Sequence, residues 1–302
     1  MSYLTYLCIF SYHITSSGAL ISISDEKIIN TSINFNTVPV LVITNIVSDL
    51  GFNSDLAHEI LIKKENRTTL LNNILKIMKE KNYYGLNIDF EYVYETDKEN
   101  YNSFIKEASA LMHENSYFLM TSLAPKTSSD KKGLLYFSHD YIVHGKYADH
   151  VILMTYEWGY RYGEPQAISP INKVEEVLSY ATSVIPSKKI LIGVPNYAYD
   201  WLLPFDKNNP AKSMNNADAI NLAIEKKSNI VFDDKSKTPY FNYIDENNIS
   251  HIVHFDDAKS LEEKLNLVKK YNLGGISYWN LNNYFYTQFL VLNSLYKTKK
   301  LI

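Results

Sequence analysis

The chain has 302 residues, of which 46% are hydrophobic, enough to build a sizeable core in one large α/β domain or in two smaller ones. Its 30 basic and 33 acidic residues leave a formal charge of −3, so nothing electrostatic favours nucleic acid or an anionic membrane as a partner. The single cysteine, Cys8, excludes an intrachain disulfide, and no apolar run approaches the ~20 residues of a membrane-spanning helix.

Residues 3 to 11 are apolar and β-rich, a first strand, and a second short strand is expected at Ala19 to Ile23. The stretch from Tyr3 to Phe10 has no basic segment before it and is too short for a signal peptide. Val38 to Ile46 is a near-continuous β-branched run, as in a buried parallel strand. Helical patterns follow through Leu56, Ile60 and Leu61, then Leu70, Leu71, Ile74, Leu75 and Met78. After a strand near 84 to 93, Tyr101, Phe104, Ile105, Ala108, Leu111 and Met112 define another helix. Further strands are expected at 117 to 124, 150 to 155, 189 to 195 and 274 to 279, with helices over 174 to 181, 260 to 271 and 284 to 296. Eight strand candidates alternating mostly with helices imply an α/β fold, a (β/α)8 TIM barrel formed by residues 1–302 as one domain. Residues 202–256 break the rhythm with short strands and one helix, a small α+β insertion between strands 7 and 8.

The chemistry concentrates in residues 84 to 93. With a period of two, Leu86, Ile88, Phe90 and Tyr92 fall on one face, and Asn87, Asp89 and Glu91 on the other. An isolated segment of this kind reads as a half-buried strand with a wet face. Between two helical patterns it reads as a strand covered on both sides, with two carboxyls held on one buried face. Residues i and i+2 lie roughly 6.6 Å apart along a strand, close enough for one carboxyl to keep a proton near neutral pH and serve as a general acid. The other strand ends carry Tyr156 with Glu157, then Tyr197, then Trp279, and the chain holds 25 Tyr. A mouth lined with carboxyls and aromatic rings suits a carbohydrate. The histidines at 139, 144 and 150, and the pair at 251 and 254, lack metal-ligand spacing, and the last two are expected on the surface.

Gly85-Leu86-Asn87-Ile88-Asp89-Phe90-Glu91 resembles the Asp-Gly-x-Asp-x-Asp-x-Glu signature of glycoside hydrolase family 18, the chitinase-like barrels. Met154-Thr155-Tyr156-Glu157, Gly193-Val194-Pro195-Asn196-Tyr197 and Gly275-Ile276-Ser277-Tyr278-Trp279 resemble its sixth, seventh and last strands. The segments 83 to 91, 123 to 128, 154 to 159 and 167 to 172 are similar to the branch of spore cortex-lytic N-acetylglucosaminidases. Members of that branch usually carry LysM repeats, and none is present in this sequence. Tyr84, Asn87 and Glu157 stand where the wider family has Asp.

The resemblance implies a retaining, substrate-assisted glycosidase acting on β-linked N-acetylglucosamine in spore cortex peptidoglycan or its fragments. Glu91 is then the general acid and base, Asp89 orients the acetamido group, and Tyr156 holds the acetamido oxygen. Asn87, Glu157, Tyr197, Trp279 and Asn45 are expected to contact the sugar. The alternatives are a chitinase on chitin oligomers, or a non-catalytic sugar-binding relative; the retained Glu91 speaks against the latter. No cofactor or metal is called for, a monomer is expected, and the expected location is the spore coat or cortex, reached without a signal peptide on this chain.

Overall fold

The computed structural model describes residues 1–47 and 51–302. Contacts divide the chain into two compact units, Met1–Leu153 with Tyr180–Ile190 and Thr298–Ile302, and Met154–Ser179 with Leu191–Lys297.

The first unit begins with β1 (Tyr6–Ile14), β2 (Leu20–Ile21) and α1 (Glu26–Asn34). The second strand expected from sequence is thus only two residues long, and it runs antiparallel to β1. Then follow β3 (Val38–Thr44), α2 (Ser54–Ile62), α3 (Lys64–Lys81), β4 (Gly85–Asp89), α4 (Lys98–Glu114), β5 (Phe118–Leu123), α5 (Tyr141–Tyr147) and β6 (His150–Leu153). The strand order is β6-β5-β4-β3-β1-β2, and all neighbours except β1 and β2 are parallel. Every residue of β3 and β4 is buried, so the strand carrying the carboxyls is covered on both faces, as the second of the two readings requires. Phe90 stacks on Tyr101 and Phe104 of α4 with centroids 6.0 and 5.7 Å apart, and burying such a ring is worth roughly 1.5–3 kcal/mol. That packing commits Phe90 to the helix side and its neighbours Asp89 and Glu91 to the opposite one. Gly85 is required where β4 begins: a Cβ there would lie 2.3 Å from the Phe118 ring.

The second unit includes α6 (Ile171–Val184) in part and β7 (Ile190–Pro195) from Leu191 onward. After them come β8 (Ala198–Leu203), β9 (Lys212–Met214), α7 (Asn216–Glu225), β10 (Val231–Asp233), β11 (Thr238–Ile244) and β12 (Ser250–His254). The unit closes with α8 (Ala258–Lys270), β13 (Gly275–Trp279) and α9 (Tyr286–Leu295). β13 pairs parallel with β7, and a separate antiparallel sheet runs β10-β11-β12-β8-β9. This is the α+β insertion, but it begins at Ala198 rather than at 202, because the aromatic run after Asn196 is itself a strand. Asp257 caps α8 in a reciprocal box with Ser260, and the buried Lys264 pairs with Asp256 behind it. His251 and His254 are not surface residues. His251 is buried against Asp200, with Nδ1 at 2.9 Å, and His254 stacks on Tyr240.

Parallel strands alternating with helices, interrupted by an antiparallel insertion before the last strand, give the α/β fold of (β/α)8 type. No helix among the described residues is long and apolar enough to cross a membrane.

Candidate active site

In the first unit β4 ends at Asp89, and Glu91 follows two residues later. The register sets Asp89 level with Thr44, the last residue of β3. Asn87 and Asp89 are 4% and 6% exposed, and the Asn87 amide nitrogen donates to the Ser122 hydroxyl of β5 at 3.1 Å. Burial raises the Asp89 carboxyl to about 7, opposed by a hydrogen bond from Ser122. The largest cause is therefore desolvation by burial. One Asp89 oxygen, Oδ1, is buried and meets no donor among the described residues.

Asn45, directly after β3, is fully buried. Its Nδ2 donates to the Glu91 carbonyl at 2.8 Å and to the Asn53 carbonyl at 3.0 Å, and its Oδ1 accepts from the Glu91 N–H at 3.0 Å. Both amide hydrogens and one oxygen lone pair are spent on backbone. Asn45, expected to touch the sugar, clamps the general-acid candidate on both sides of its Cα. Asn53 in turn caps α2 by accepting from Leu56 N–H at 2.8 Å. His139 joins the ends of β4 and β5. Its Nδ1 accepts from the Ala124 N–H at 2.8 Å, which leaves Nε2 as the donor to the Phe90 carbonyl at 2.9 Å. Burial lowers its pKa to about 4, so the ring stays neutral.

In the second unit Glu157 adopts a left-handed backbone conformation, φ 64°. Its carboxylate accepts from the Tyr197 hydroxyl and, at 3.0 Å, from the Tyr199 hydroxyl. Desolvation raises the Glu157 pKa, and the two tyrosines pull it back. Tyr197, Tyr199 and Trp201 form a buried aromatic cluster with Ile168 and Ala211, and half-buried Tyr156 and Trp279 pack against it. The Trp201 indole donates to the Gly163 carbonyl at 2.9 Å, and Thr155 donates to the Gly193 carbonyl at 2.8 Å. Asn196 ties β7 to β13: its N–H donates to the Trp279 carbonyl at 2.8 Å, and its side chain to the Asn280 carbonyl at 2.9 Å.

The structure therefore gathers Tyr156, Glu157, Tyr197 and Trp279 in one unit, and Asn45, Asn87, Asp89 and Glu91 in the other. Sequence reading misses Ser122, His139, Asn196 and Tyr199. For Tyr199 a signal was available, since Tyr197, Tyr199 and Trp201 alternate with period two. No group of three or more His, Cys, Asp or Glu side chains among the described residues is arranged to hold a metal.

A desolvated carboxyl at a strand end with a second carboxyl held two residues on fits a carbohydrate-cleaving hydrolase on an α/β barrel scaffold. The profile of the family described as Glycosyl hydrolases family 18 matches residues 49–283, and the chain belongs to that family of glycosidases. It is 38% identical to a "Cortical fragment-lytic enzyme" of Bacillus subtilis over 99% of this chain and 69% of that protein. A protein of the same description from Bacillus anthracis is 41% identical over 92% of this chain and 65% of its own length. The crystal structure of the Bacillus cereus spore cortex-lytic enzyme SleL superposes with a TM-score of 0.96 at 38% identity, covering 99% of this chain and 69% of that one. The chain thus spans about two thirds of the length of these relatives.

Proposed function

We propose that the protein is a retaining N-acetylglucosaminidase that cleaves β-linked N-acetylglucosamine in spore cortex peptidoglycan or its fragments, by substrate-assisted catalysis. The observation that carries this reading is Asp89: a buried carboxyl raised to about 7, two residues before a glutamate whose backbone is clamped. The likeness to enzymes described as lytic for cortical fragments supports the substrate class, and with it a location in the spore.

The 2-acetamido oxygen of the sugar attacks its own anomeric carbon, and the bond to the leaving oxygen breaks as Glu91 gives that oxygen its proton. The same carboxylate then takes a proton from water, which opens the oxazolinium-type intermediate. Asp89 accepts from the acetamido N–H and stabilises the positive charge as it forms. Tyr156 donates to the acetamido oxygen, and Trp279 offers its face to the sugar ring, with Asn87, Glu157 and Tyr197 completing the contacts. No cofactor takes part in any of these steps, and the chain works as a monomer.

Purified enzyme and cortex fragments test the reading. Release of reducing N-acetylglucosamine ends is expected, with tight inhibition by a thiazoline that mimics the cyclised intermediate. Trapping a covalent glycosyl–protein adduct, or faster turnover of chitin oligomers than of cortex fragments, would overturn it.

A further inference from the structure

Asn196 and Asn216 lie in the second unit, 2% and 1% exposed. Asn196 follows β7. Its Nδ2 donates to the Asn280 carbonyl at 2.9 Å and to the Asn283 carbonyl, so both of its hydrogens are taken by the turn after β13. Within that turn the Asn282 N–H donates to the Asn280 side chain at 3.0 Å. The other end of the Asn196 amide, Oδ1, accepts from Asn216 Nδ2 at 3.4 Å. Asn216 is the first residue of α7, and its Oδ1 accepts from the Asp256 N–H at 3.2 Å. A carbonyl only accepts and a backbone N–H only donates, so these partners fix which atom is nitrogen in each amide. Asp256 is anchored in turn by α8: the Ser260 hydroxyl donates to its Oδ1 at 2.7 Å, and Lys264 pairs with the same oxygen. Asp256, Ser260 and Lys264 are all buried. The connection closes on itself, because α8 is the helix that leads into β13.

We infer, on the reading that Trp279 meets the sugar, that Asn196 and Asn216 are positioning residues for that ring: through this pair of amides the insertion holds the turn against which Trp279 is set. Trp279 is the last residue of β13, immediately before the turn that the Asn196 fork holds. The Asn196 N–H donates to the Trp279 carbonyl at 2.8 Å, so one residue holds the strand end by its backbone and the turn by its side chain. An aromatic face serves a sugar only when it is presented at one height and angle. Without the Nδ2 donors the Asn280 and Asn283 carbonyls lose that partner, and the turn shifts with Trp279 while the ladder of β7 and β13 stays paired. Asn216 acts at one remove, by keeping the Asn196 amide from rotating its hydrogens away from the turn.

The test has two readouts on the full chain. The first is fluorine NMR of protein labelled with 5-fluorotryptophan, which needs no substrate. The three tryptophans, Trp158, Trp201 and Trp279, give three resonances, and Trp279→Phe identifies one of them. Asn196→Leu, of similar size but without a donor, shifts or broadens the Trp279 resonance and leaves the other two in place. Asn216→Ala, which keeps the fork and removes its support, moves the same resonance by less. The second readout is turnover of cortex fragments. Asn196→Leu raises KM by roughly fivefold or more with kcat within about twofold, while Tyr243→Phe, which removes a hydrogen bond to Asp200 elsewhere in the insertion, changes neither. A Trp279 resonance unmoved in both asparagine variants overturns the inference, as does a shift shared by all three resonances or a loss carried by kcat instead of KM. Where Asn196→Leu does not fold, Asn216→Ala decides by the same two readouts. Wild-type enzyme inert on every N-acetylglucosamine substrate would instead defeat the functional reading, while the fluorine spectrum still judges the two asparagines.

Discussion

Two carboxyls on the chain, Asp89 and Glu157, are pulled from water to a similar end and treated in opposite ways. Both are raised by desolvation. Glu157 is given two tyrosine hydroxyls, which satisfy the charged form and bind it into a packed aromatic cluster. Asp89 is eased back only by the Ser122 hydroxyl, and its Oδ1 is buried with no hydrogen-bond partner among the described residues. A buried polar atom left unpaired costs about 1–3 kcal/mol. The difference separates a carboxyl with an unpaired acceptor from one tied into an aromatic cluster.

The largest effect is expected at Glu91, the general acid and base of the proposed reaction. Glu91→Gln keeps the shape and the Asn45 clamp but removes the transferable proton. Hydrolysis of cortex fragments should fall about 10²–10⁴-fold while binding persists. Glu157→Gln, by contrast, exchanges one acceptor for another and should cost less than about tenfold, seen in KM more than in kcat. Equal losses from the two variants would erase the distinction.

The clamp is the next largest lever. Asn45→Ala leaves the Glu91 N–H, the Glu91 carbonyl and the Asn53 carbonyl without their side-chain partner, at about 1–3 kcal/mol for each group that stays buried and unpaired. Urea unfolding should show the loss, and kcat should fall with it. A variant destabilised but fully active would show that Glu91 does not need its backbone held.

Asp89→Asn sharpens the comparison through pH. The folded pKa of Asp89 lies above the ordinary carboxylate value, so between about pH 4 and pH 7 the folded state holds more proton than the unfolded one. Stability from this group is therefore present at low pH and is lost as pH rises through that window. Wild type should lose on the order of 3 kcal/mol relative to Asp89→Asn between about pH 4 and pH 8, measured by chemical unfolding. Parallel stability curves would contradict the raised pKa. The smallest effect is that of Tyr199→Phe, which removes one of the two donors to Glu157. It should cost about 1 kcal/mol in unfolding free energy and leave the rate with Glu91 intact nearly unchanged.

What could be read in the sequence was whatever is periodic or contiguous. The β-branched run of β3, the alternation of 85 to 91 and the tyrosine–glutamate pair after β6 are local patterns, and each stands where it was expected. The reading of β4 as covered on both faces follows from its place between two helical patterns, and its packing agrees. Asn45 shows the limit clearly. It meets Glu91 across 46 residues, and an asparagine at a strand end looks the same whether it faces a sugar or a backbone. Ser122 was invisible for the same reason, its partner Asn87 lying 35 residues away on the neighbouring strand. The insertion begins earlier than expected because Tyr199 and Trp201 lie on a strand that starts at Ala198.

The buried His139 ring works against the folded state in acid. It holds the end of β4 only while it is neutral, because the Ala124 N–H needs a lone pair that protonation removes. Between its ordinary value and about 4 the unfolded chain takes up the proton and the folded chain refuses it, so each step into acid favours unfolding. A buried ring that joins two strand ends thus links stability in acid to the backbone beside the carboxyls.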